Sequence, residues 1–516
     1  MSRPHPTKPN QAIERLYREA EQAWGRQDYQ QSISLMEQAS RKEPFNPSLL
    51  LHLGRAHGLR YDFPSAERCF EKALRISQSQ AQTLEEAGRI CLDFNNLDLA
   101  LGYLSRASQK KGVSIGALIT LADIYIRDNR IDEAAELVAR AAQSDRAEPR
   151  VLLEQAALQR LRGNVHEAEA LYRALLANPA SGVPVRIRAF YELASILDAS
   201  GRYDEALAAL LEVKAMQRIH AAPYAAALQH IQNRAKEMER TITAAVLDRW
   251  RADAPKLQPS RRIALLCGHP RSGTTLLEQA LDAHSGVTTA EETKIMHDEA
   301  YLPLIRDFPE GTSILQALDS TPPSLLCHAR ENYFRCTEMF LRRTIGSRLL
   351  VDKNPALNVM IPMVVRVFPE TKFLVALRDP RDVVISCFMQ ALPLTPISSS
   401  YLSIEGTVNQ YASVMGFWLE MRPRMGDQWK YVRYEEMIDA LPAVARSTLE
   451  FLGVGFEENV LKFYEHAHTK RVHSPSHADV RKPLYRTAVG RWRNYQKCLE
   501  PYLAGLEPFL KAFNYH

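Results

Sequence analysis

This chain predicts an all-α array of paired helices followed by an α/β domain with a central parallel sheet. Three observations carry that reading. Small and bulky residues recur with a 34-residue period over roughly the first 219 positions, a polar, proline-bearing break follows near residues 251–260, and apolar runs of strand length then alternate with helical patterns. With 516 residues, 46% hydrophobic and 24% charged, the chain is long enough for two or three domains with full cores.

Ser32, Ala66, Ala100, Ala134 and Ala168 fall 34 apart, and Ala206 follows after 38, the extra four residues lying in the loop Asn178-Pro-Ala-Ser-Gly182. Twelve positions before each stands another small residue: Ala20, Gly54, Gly88, Ala122, Ala156 and Ala194. Four positions after each stands a bulky one: Met36, Phe70, Leu104, Val138, Tyr172 and Leu210. Antiparallel helices approach closely only where facing side chains are small, and the bulky residue fills the gap to the next pair. The segments Asp128-Asn-Arg, Gly163-Asn and Gly201-Arg-Tyr-Asp supply turns between helices. The pattern resembles the tetratricopeptide repeat, which implies a right-handed solenoid whose concave groove takes a peptide or protein partner. The domain reading is a disordered N-terminus over 1–12, about six repeats over 13–219, a capping helix (Ala225 to Trp250) and linker over 220–258, and an α/β domain over 259–516.

The formal charge of +5 argues against bulk nucleic-acid binding and leaves room for a locally basic cleft. Residues 1–10 are polar, no signal peptide or membrane span is read anywhere, and a cytoplasmic protein is expected. The seven cysteines are odd in number and scattered, with no Cys-x-x-Cys pair, and read as reduced packing thiols. His466 and His468, two apart and without a cysteine or carboxylate cluster, read as loop or surface residues, so no metal site is expected.

In the second half, strand-length runs occur at Ile263–Cys267, Arg348–Val351, Lys372–Leu377 and Trp429–Arg433, with helical patterns such as Asp382–Gln390 and Leu441–Leu452. Near-continuous apolar strands alternating with helices predict a parallel sheet covered on both faces, with ligands at the carboxyl ends of its strands. The first run ends in Gly268-His-Pro-Arg-Ser-Gly-Thr-Thr275, and helical spacing follows. Such a turn aims backbone N–H groups and the positive end of a helix at one spot, where an anion settles. Gly268 and Gly273 keep P-loop spacing, yet Thr274 stands where the phosphate-reaching lysine belongs, which disfavours ordinary ATP or GTP hydrolysis. Arg271 instead offers a planar, permanently charged fork for a phosphate or sulfate.

At Pro270-Arg-Ser-Gly-Thr-Thr275, continuing through Leu281-Asp-Ala-His284 and Glu291-Glu-Thr293, the chain resembles the sulfotransferases, and within them the tyrosylprotein branch. The resemblance covers about residues 262–495. It implies that Pro270, Arg271, Ser272, Gly273, Thr274 and Thr275 hold the 5′-phosphosulfate of 3′-phosphoadenosine-5′-phosphosulfate. It further implies that Arg378 and Ser386, in Leu377-Arg-Asp-Pro-Arg-Asp-Val-Val-Ile-Ser-Cys-Phe388, form a second, separate site for the 3′-phosphate, with Asp379 or Asp382 capping the helix. Tyr434, opening Tyr434-Glu-Glu-Met437, corresponds to the residue at the adenine. Ser476, Tyr485 and Arg491, in the segments Ser476–Tyr485 and Arg491-Trp492, correspond to a lid over the nucleotide. Glu292 matches the catalytic base, although its neighbour Glu291 is hard to separate from it. Lys353, in Val351-Asp-Lys-Asn-Pro355, matches the lysine that stabilises the leaving group.

The implied reaction moves a sulfuryl group to an acceptor hydroxyl without a metal, with Arg271, Lys353 and Ser476 stabilising charge and Glu292 taking the acceptor proton. Two departures stand out: Gln390 replaces a further basic residue near the 3′-phosphate, and Ala290 replaces the glycine before the two glutamates. The acceptor, whether protein tyrosine, carbohydrate or small phenol, does not carry over with the resemblance. An interaction scaffold with a non-catalytic nucleotide domain and a P-loop-like kinase stay open as alternatives. The oligomeric state, a homodimer among the options, is not set by the sequence.

Overall fold

The computed structural model describes residues 11–309, 311–467, 484 and 486–516. They divide into two compact units, one running to Ser181 and the other from Gly182 to His516. Among the described residues no helix is long and apolar enough to cross a membrane.

The first unit is five helix pairs: α1 (Gln11–Gly25) with α2 (Tyr29–Lys42), α3 (Pro47–Leu59) with α4 (Phe63–Ile76), α5 (Ala81–Asp93) with α6 (Leu97–Ser108), α7 (Ile115–Arg127) with α8 (Ile131–Ser144), and α9 (Pro149–Leu161) with α10 (Val165–Ala177). The small residues of the 34-residue register lie where paired helices touch. Ala20, Ala66, Ala100, Ala122, Ala134, Ala156 and Ala168 are fully buried, and where the register holds Ser32 its hydroxyl donates to the Ala20 carbonyl at 2.8 Å. A Cβ on Gly54 would stand 2.4 Å from Cε1 of the buried Phe70, and one on Gly88 would stand 2.7 Å from Cγ of Leu104.

Each pair turns through a left-handed residue at the same place. Gln27, Tyr61, Asn95, Asn129 and Gly163 have φ between 54° and 85°. The next N–H then reaches back five residues, as from Asp28 to the Ala23 carbonyl at 2.9 Å and from Arg130 to that of Tyr125 at 2.8 Å, closing the first helix. Three of these next residues, Asp28, Asp62 and Asn96, also cap the following helix through their side chains. The first helices of three successive pairs, α1, α3 and α5, line a recess of about 520 Å³ that includes Tyr17, Trp24, His52, Arg55 and Arg89.

A sixth pair in the same register, α11 (Val183–Ala199) with α12 (Tyr203–Arg218), belongs to the second unit, as do α13 (Ala222–Thr241) and α14 (Ala244–Ala252). The single helix expected from Ala225 to Trp250 is thus broken. Ile242 leaves helical geometry, fully buried, and Thr243 caps α14 through its hydroxyl. The carbonyls of Glu239 and Ile242 are taken by Arg424 at 2.8 and 2.7 Å, which compensates the break. The stretch expected to be a linker is built into this unit: Trp250 donates to Asp319 at 2.7 Å, Arg366 pairs with Asp253 at 2.9 Å, and Leu257 is buried.

Five parallel strands follow, β1 (Ile263–Gly268), β2 (Val287–Glu291), β3 (Leu349–Lys353), β4 (Lys372–Leu377) and β5 (Trp429–Arg433), in the order β2-β3-β1-β4-β5. The sequence reading lacks β2, whose Val-Thr-Thr-Ala-Glu has no apolar run to mark it. Register places Leu266 and Glu291 beside Lys353, Gly268 beside Ala376, and Leu377 beside Arg433, so the carboxyl ends line up. One sheet face, through Ala264, Leu266, Val351, Leu374 and Val432, packs on α15 (Thr274–Asp282) and on the helix Tyr434–Leu452. The chain reverses from β1 to β2 on one side and from β3 to β4 across β1, which makes the end of β1 the switch point where ligands bind in such sheets.

Gly54→Val should push a branched side chain into the fully buried Phe70 ring and cost about 1–3 kcal/mol, read as a lower Tm. Gly102→Ala, where a Cβ meets nothing within 4 Å, should raise Tm slightly, because alanine is better in a helix by about 1 kcal/mol.

Candidate active site

A cavity of about 800 Å³ opens at the carboxyl ends of the strands. The turn after β1 supplies Pro270, Arg271, Gly273, Thr274 and Thr275, the end of β2 supplies Glu292, and the segment after β3 supplies Asn354 to Ala356. Arg378, Asp382 and Ser386 follow β4, Tyr434 follows β5, and Arg491 comes from the C-terminal segment. Ser272 is buried within the turn. Ser476 and Tyr485, with His468 and most of the segment expected to form a lid, lie outside the described residues.

The turn is shaped by backbone conformations that few side chains adopt. Gly273 has φ of 90°, and a Cβ there would stand 2.6 Å from Cδ2 of Tyr434. Arg271 itself has φ of 71°, a left-handed value uncommon for a side-chain-bearing residue, and its Nε donates to Ser386 Oγ at 3.1 Å. Arg378 donates to the Arg271 carbonyl at 3.2 Å and lies over the Tyr434 ring at 5.0 Å. The residues expected at two separate anion sites are therefore in contact. Ser386 bonds Arg271, and Arg378 braces the loop that carries it.

Of the two candidate caps for the helix Pro380–Met389, Asp379 performs the task, accepting from Arg381 N at 2.9 Å. Asp382 instead accepts from Gly490 N at 2.7 Å and Trp492 N at 2.9 Å, which ties the C-terminal segment to the cavity. Burial raises the Asp382 pKa, against the Arg378 charge and these two N–H donors.

Lys353 is fully buried at the end of β3 and does not itself line the cavity. Its Nζ lies 2.7 Å from Glu292 Oε1, 3.3 Å from Glu291 Oε1 and 3.7 Å from Glu278 Oε2. Burial alone would lower the lysine pKa, but the three carboxylates outweigh it and hold the ammonium form. Only Glu292 faces out, its side chain 43% exposed, whereas those of Glu291 and Glu278 are 7% and 0% exposed. Glu292 has φ of 50°, and its N–H donates to the Lys353 carbonyl at 2.8 Å. Asn354 holds the same turn from the other side through the Thr293 carbonyl at 2.9 Å. Sequence reasoning passed over Glu278. It sits on α15, and only the fold turns it toward Lys353.

Behind the turn burial pushes each of three titratable groups toward its neutral form. Burial lowers the His269 pKa to about 4, and its Nδ1 contacts the Pro270 carbonyl at 2.9 Å. Burial pushes the Cys387 thiol up to about 12. Lys214 of α12, 2% exposed, is lowered by burial to about 7. Its Nζ contacts the Gln390 carbonyl at 3.4 Å and stands 5.2 Å from the rings of Tyr191 and Phe388. Gln390 is the position where a basic residue was expected from the resemblance, and α12 brings an amine to its backbone instead. Among the described residues no group of side chains suits a metal ion. The seven cysteines are unbridged. His466 Nε2 lies 2.9 Å from Asp282 Oδ2.

Comparison with known proteins agrees with this architecture. Residues 264–458 match the model of the sulfotransferase family, and residues 48–79, 119–183 and 162–226 match models of the tetratricopeptide repeat. The chain therefore carries a sulfotransferase-family domain together with tetratricopeptide repeats. An uncharacterized protein of Aquifex aeolicus is 24% identical over 440 residues, covering 82% of this chain and 54% of that protein. A protein-tyrosine sulfotransferase of Drosophila melanogaster is 27% identical over 236 residues, 44% of this chain and 46% of the relative. The chain thus spans about half the length of these curated relatives. A solved sulfotransferase domain from the curacin biosynthetic pathway is 18% identical and covers 50% of this chain and 99% of its own, with a TM-score of 0.36.

The lowered Lys214 pKa has a definite sign. From about 7 to the ordinary 10.5 the unfolded chain binds the extra proton, so stability rises with pH across that window and the burial penalty is fully present below it. Lys214→Met should raise Tm at pH 7, and the gain should shrink as pH approaches 10, as measured in a pH series of thermal melts.

Proposed function

We propose that this protein transfers a sulfuryl group from 3′-phosphoadenosine-5′-phosphosulfate to an acceptor hydroxyl. The observation that carries the proposal is one cavity holding both halves of the chemistry. Arg271, Arg378 and Arg491 line it as permanent cations, and Glu292 lines it as the one exposed carboxylate of the Lys353 cluster. Three guanidinium groups suit a nucleotide phosphorylated at both the 3′ and 5′ positions of its ribose better than one phosphorylated at a single end.

In this reading the turn Pro270–Thr275 and Arg271 bind the phosphosulfate, with the N-terminus of α15 adding its positive end. Arg378, with Ser386 beside it, and Arg491 take the second phosphate, and Tyr434 meets the adenine. Ser476 and Tyr485 keep the lid roles that the resemblance implies. Glu292 accepts the proton of the acceptor hydroxyl, the oxygen lone pair forms the new O–S bond, and the old S–O bond breaks toward the phosphate, leaving adenosine 3′,5′-bisphosphate. Charge that develops on the departing oxygen is met by Arg271 and the loop N–H groups. Lys353, 2.7 Å from Glu292, holds that residue in place at the cavity, and in this arrangement it acts on the reaction through the glutamate. The repeat recess recruits a peptide or protein, which makes a protein tyrosine one fitting acceptor.

Glu292→Gln should lower transfer of labelled sulfate by about 10²- to 10⁴-fold and leave binding of adenosine 3′,5′-bisphosphate in place. Wild-type turnover in this variant would remove Glu292 from the mechanism. In thermal-shift titrations the bisphosphate should raise Tm by mass action and ATP with magnesium should not. The reverse ranking would favour a kinase, and bisphosphate binding without transfer to any protein or small molecule of a cell extract would favour a scaffold.

A further inference from the structure

One wall of the cavity is built from outside the sheet and its covering helices. Asp198 and Ala199, at the C-terminal end of α11, and Tyr203, at the start of α12, line it together with Arg491. The Asp198 side chain is only 13% exposed, and both of its oxygens are engaged. One takes the Arg491 guanidinium through Nη2, and the other accepts the Tyr495 hydroxyl at 2.6 Å. Tyr203 meets the Tyr495 ring edge-on at 5.7 Å. Burial and the neighbouring Asp198 carboxylate raise the Tyr495 phenol, so it stays a donor.

The backbone of this segment is already fixed from the other side, by Asp382 at Gly490 and Trp492 and by Arg381 over the Trp492 ring at 4.2 Å. Neither contact touches the Arg491 side chain. A free arginine side chain gives up rotamer freedom when it is fixed, and a carboxylate holding one edge of the fork meets that cost before a ligand arrives while leaving other N–H donors open. The helix pair that presents Asp198 is itself anchored to the unit, by Lys214 at Gln390 and by Arg218 donating to the Leu402 carbonyl at 3.1 Å.

We propose that Asp198 is a positioning residue of the nucleotide site, aiming the Arg491 guanidinium at a phosphate of the bound nucleotide. The sixth helix pair, repeat-like in sequence, is then part of the donor site. The proposal rests on the reading of Arg491 as a nucleotide ligand.

Calorimetric titration of the full-length protein with adenosine 3′,5′-bisphosphate tests it, comparing wild type, Arg491→Ala, Asp198→Asn, Asp198→Glu and the Arg491→Ala/Asp198→Asn double variant. Each single neutralisation should weaken binding about tenfold, as loss of a charge-assisted contact does. The double variant should bind no more weakly than Arg491→Ala alone, because both changes act through one guanidinium, and Asp198→Glu should recover part of the loss. Purely structural damage would instead add to the Arg491→Ala effect. Unchanged or tighter binding by Asp198→Asn, or full additivity in the double variant, overturns the proposal. Should Asp198→Asn not fold, Tyr495→Phe, which releases the second carboxylate oxygen, must show the same weakening and the same dependence on Arg491. Wild-type binding that Arg491→Ala leaves intact would remove the Arg491 reading and the proposal with it. A wild-type protein that ignores the bisphosphate would overturn the donor assignment itself.

Discussion

A buried ammonium surrounded by carboxylates is the constraint on which this site depends. Lys353 has no exposed surface, and an unpaired charge there would cost several kcal/mol. Glu278, Glu291 and Glu292 answer it from α15 and from the end of β2. The cluster therefore fixes three segments against one another at the level where the strands end. The carboxylates outnumber the lysine, so one of them can remain turned toward solvent without leaving the ammonium uncompensated. That outward group is Glu292.

The opposite principle governs the ground behind the phosphate-type turn. His269, Cys387 and Lys214 are all buried, and each is pushed toward its neutral form, by the same desolvation that Lys353 escapes through its partners. Positive charge around the turn is consequently left to Arg271 and Arg378, which cannot be neutralised in this way. Arg378 also braces the turn through the Arg271 carbonyl, so the cations are part of the scaffold that orients them.

The repeats were legible because packing imposes a period on composition. A glycine or alanine is required where two helices touch, and Gly54 against Phe70 shows how little room is left. The strands β1, β3 and β4 were legible because buried parallel strands carry apolar runs. β2 was not, since its threonines give it no such run, and with it went the partnership of Glu291 and Lys353, which depends on cross-strand register. The choice between Glu291 and Glu292 needs the chain to leave the pleat at Glu292, whose φ is 50°, and no local composition marks that departure. Asp198 had no signature either. It lies nearly three hundred positions from Arg491 in sequence, and only tertiary packing brings the two together. The long helix expected across residues 225–250 is broken for a related reason: an arginine far along the chain, Arg424, donates to the carbonyls that the break exposes.

The left-handed residue recurs at Gln27, Tyr61, Asn95, Asn129 and Gly163 with nearly one backbone geometry. Each such corner is interchangeable with the next as a splice point. Cutting the chain at two successive corners and rejoining it would remove one whole cassette, while the helix before the junction kept its closing hydrogen bonds. Length in this part of the molecule can therefore change in whole units, by duplication or loss, without any new junction having to be invented.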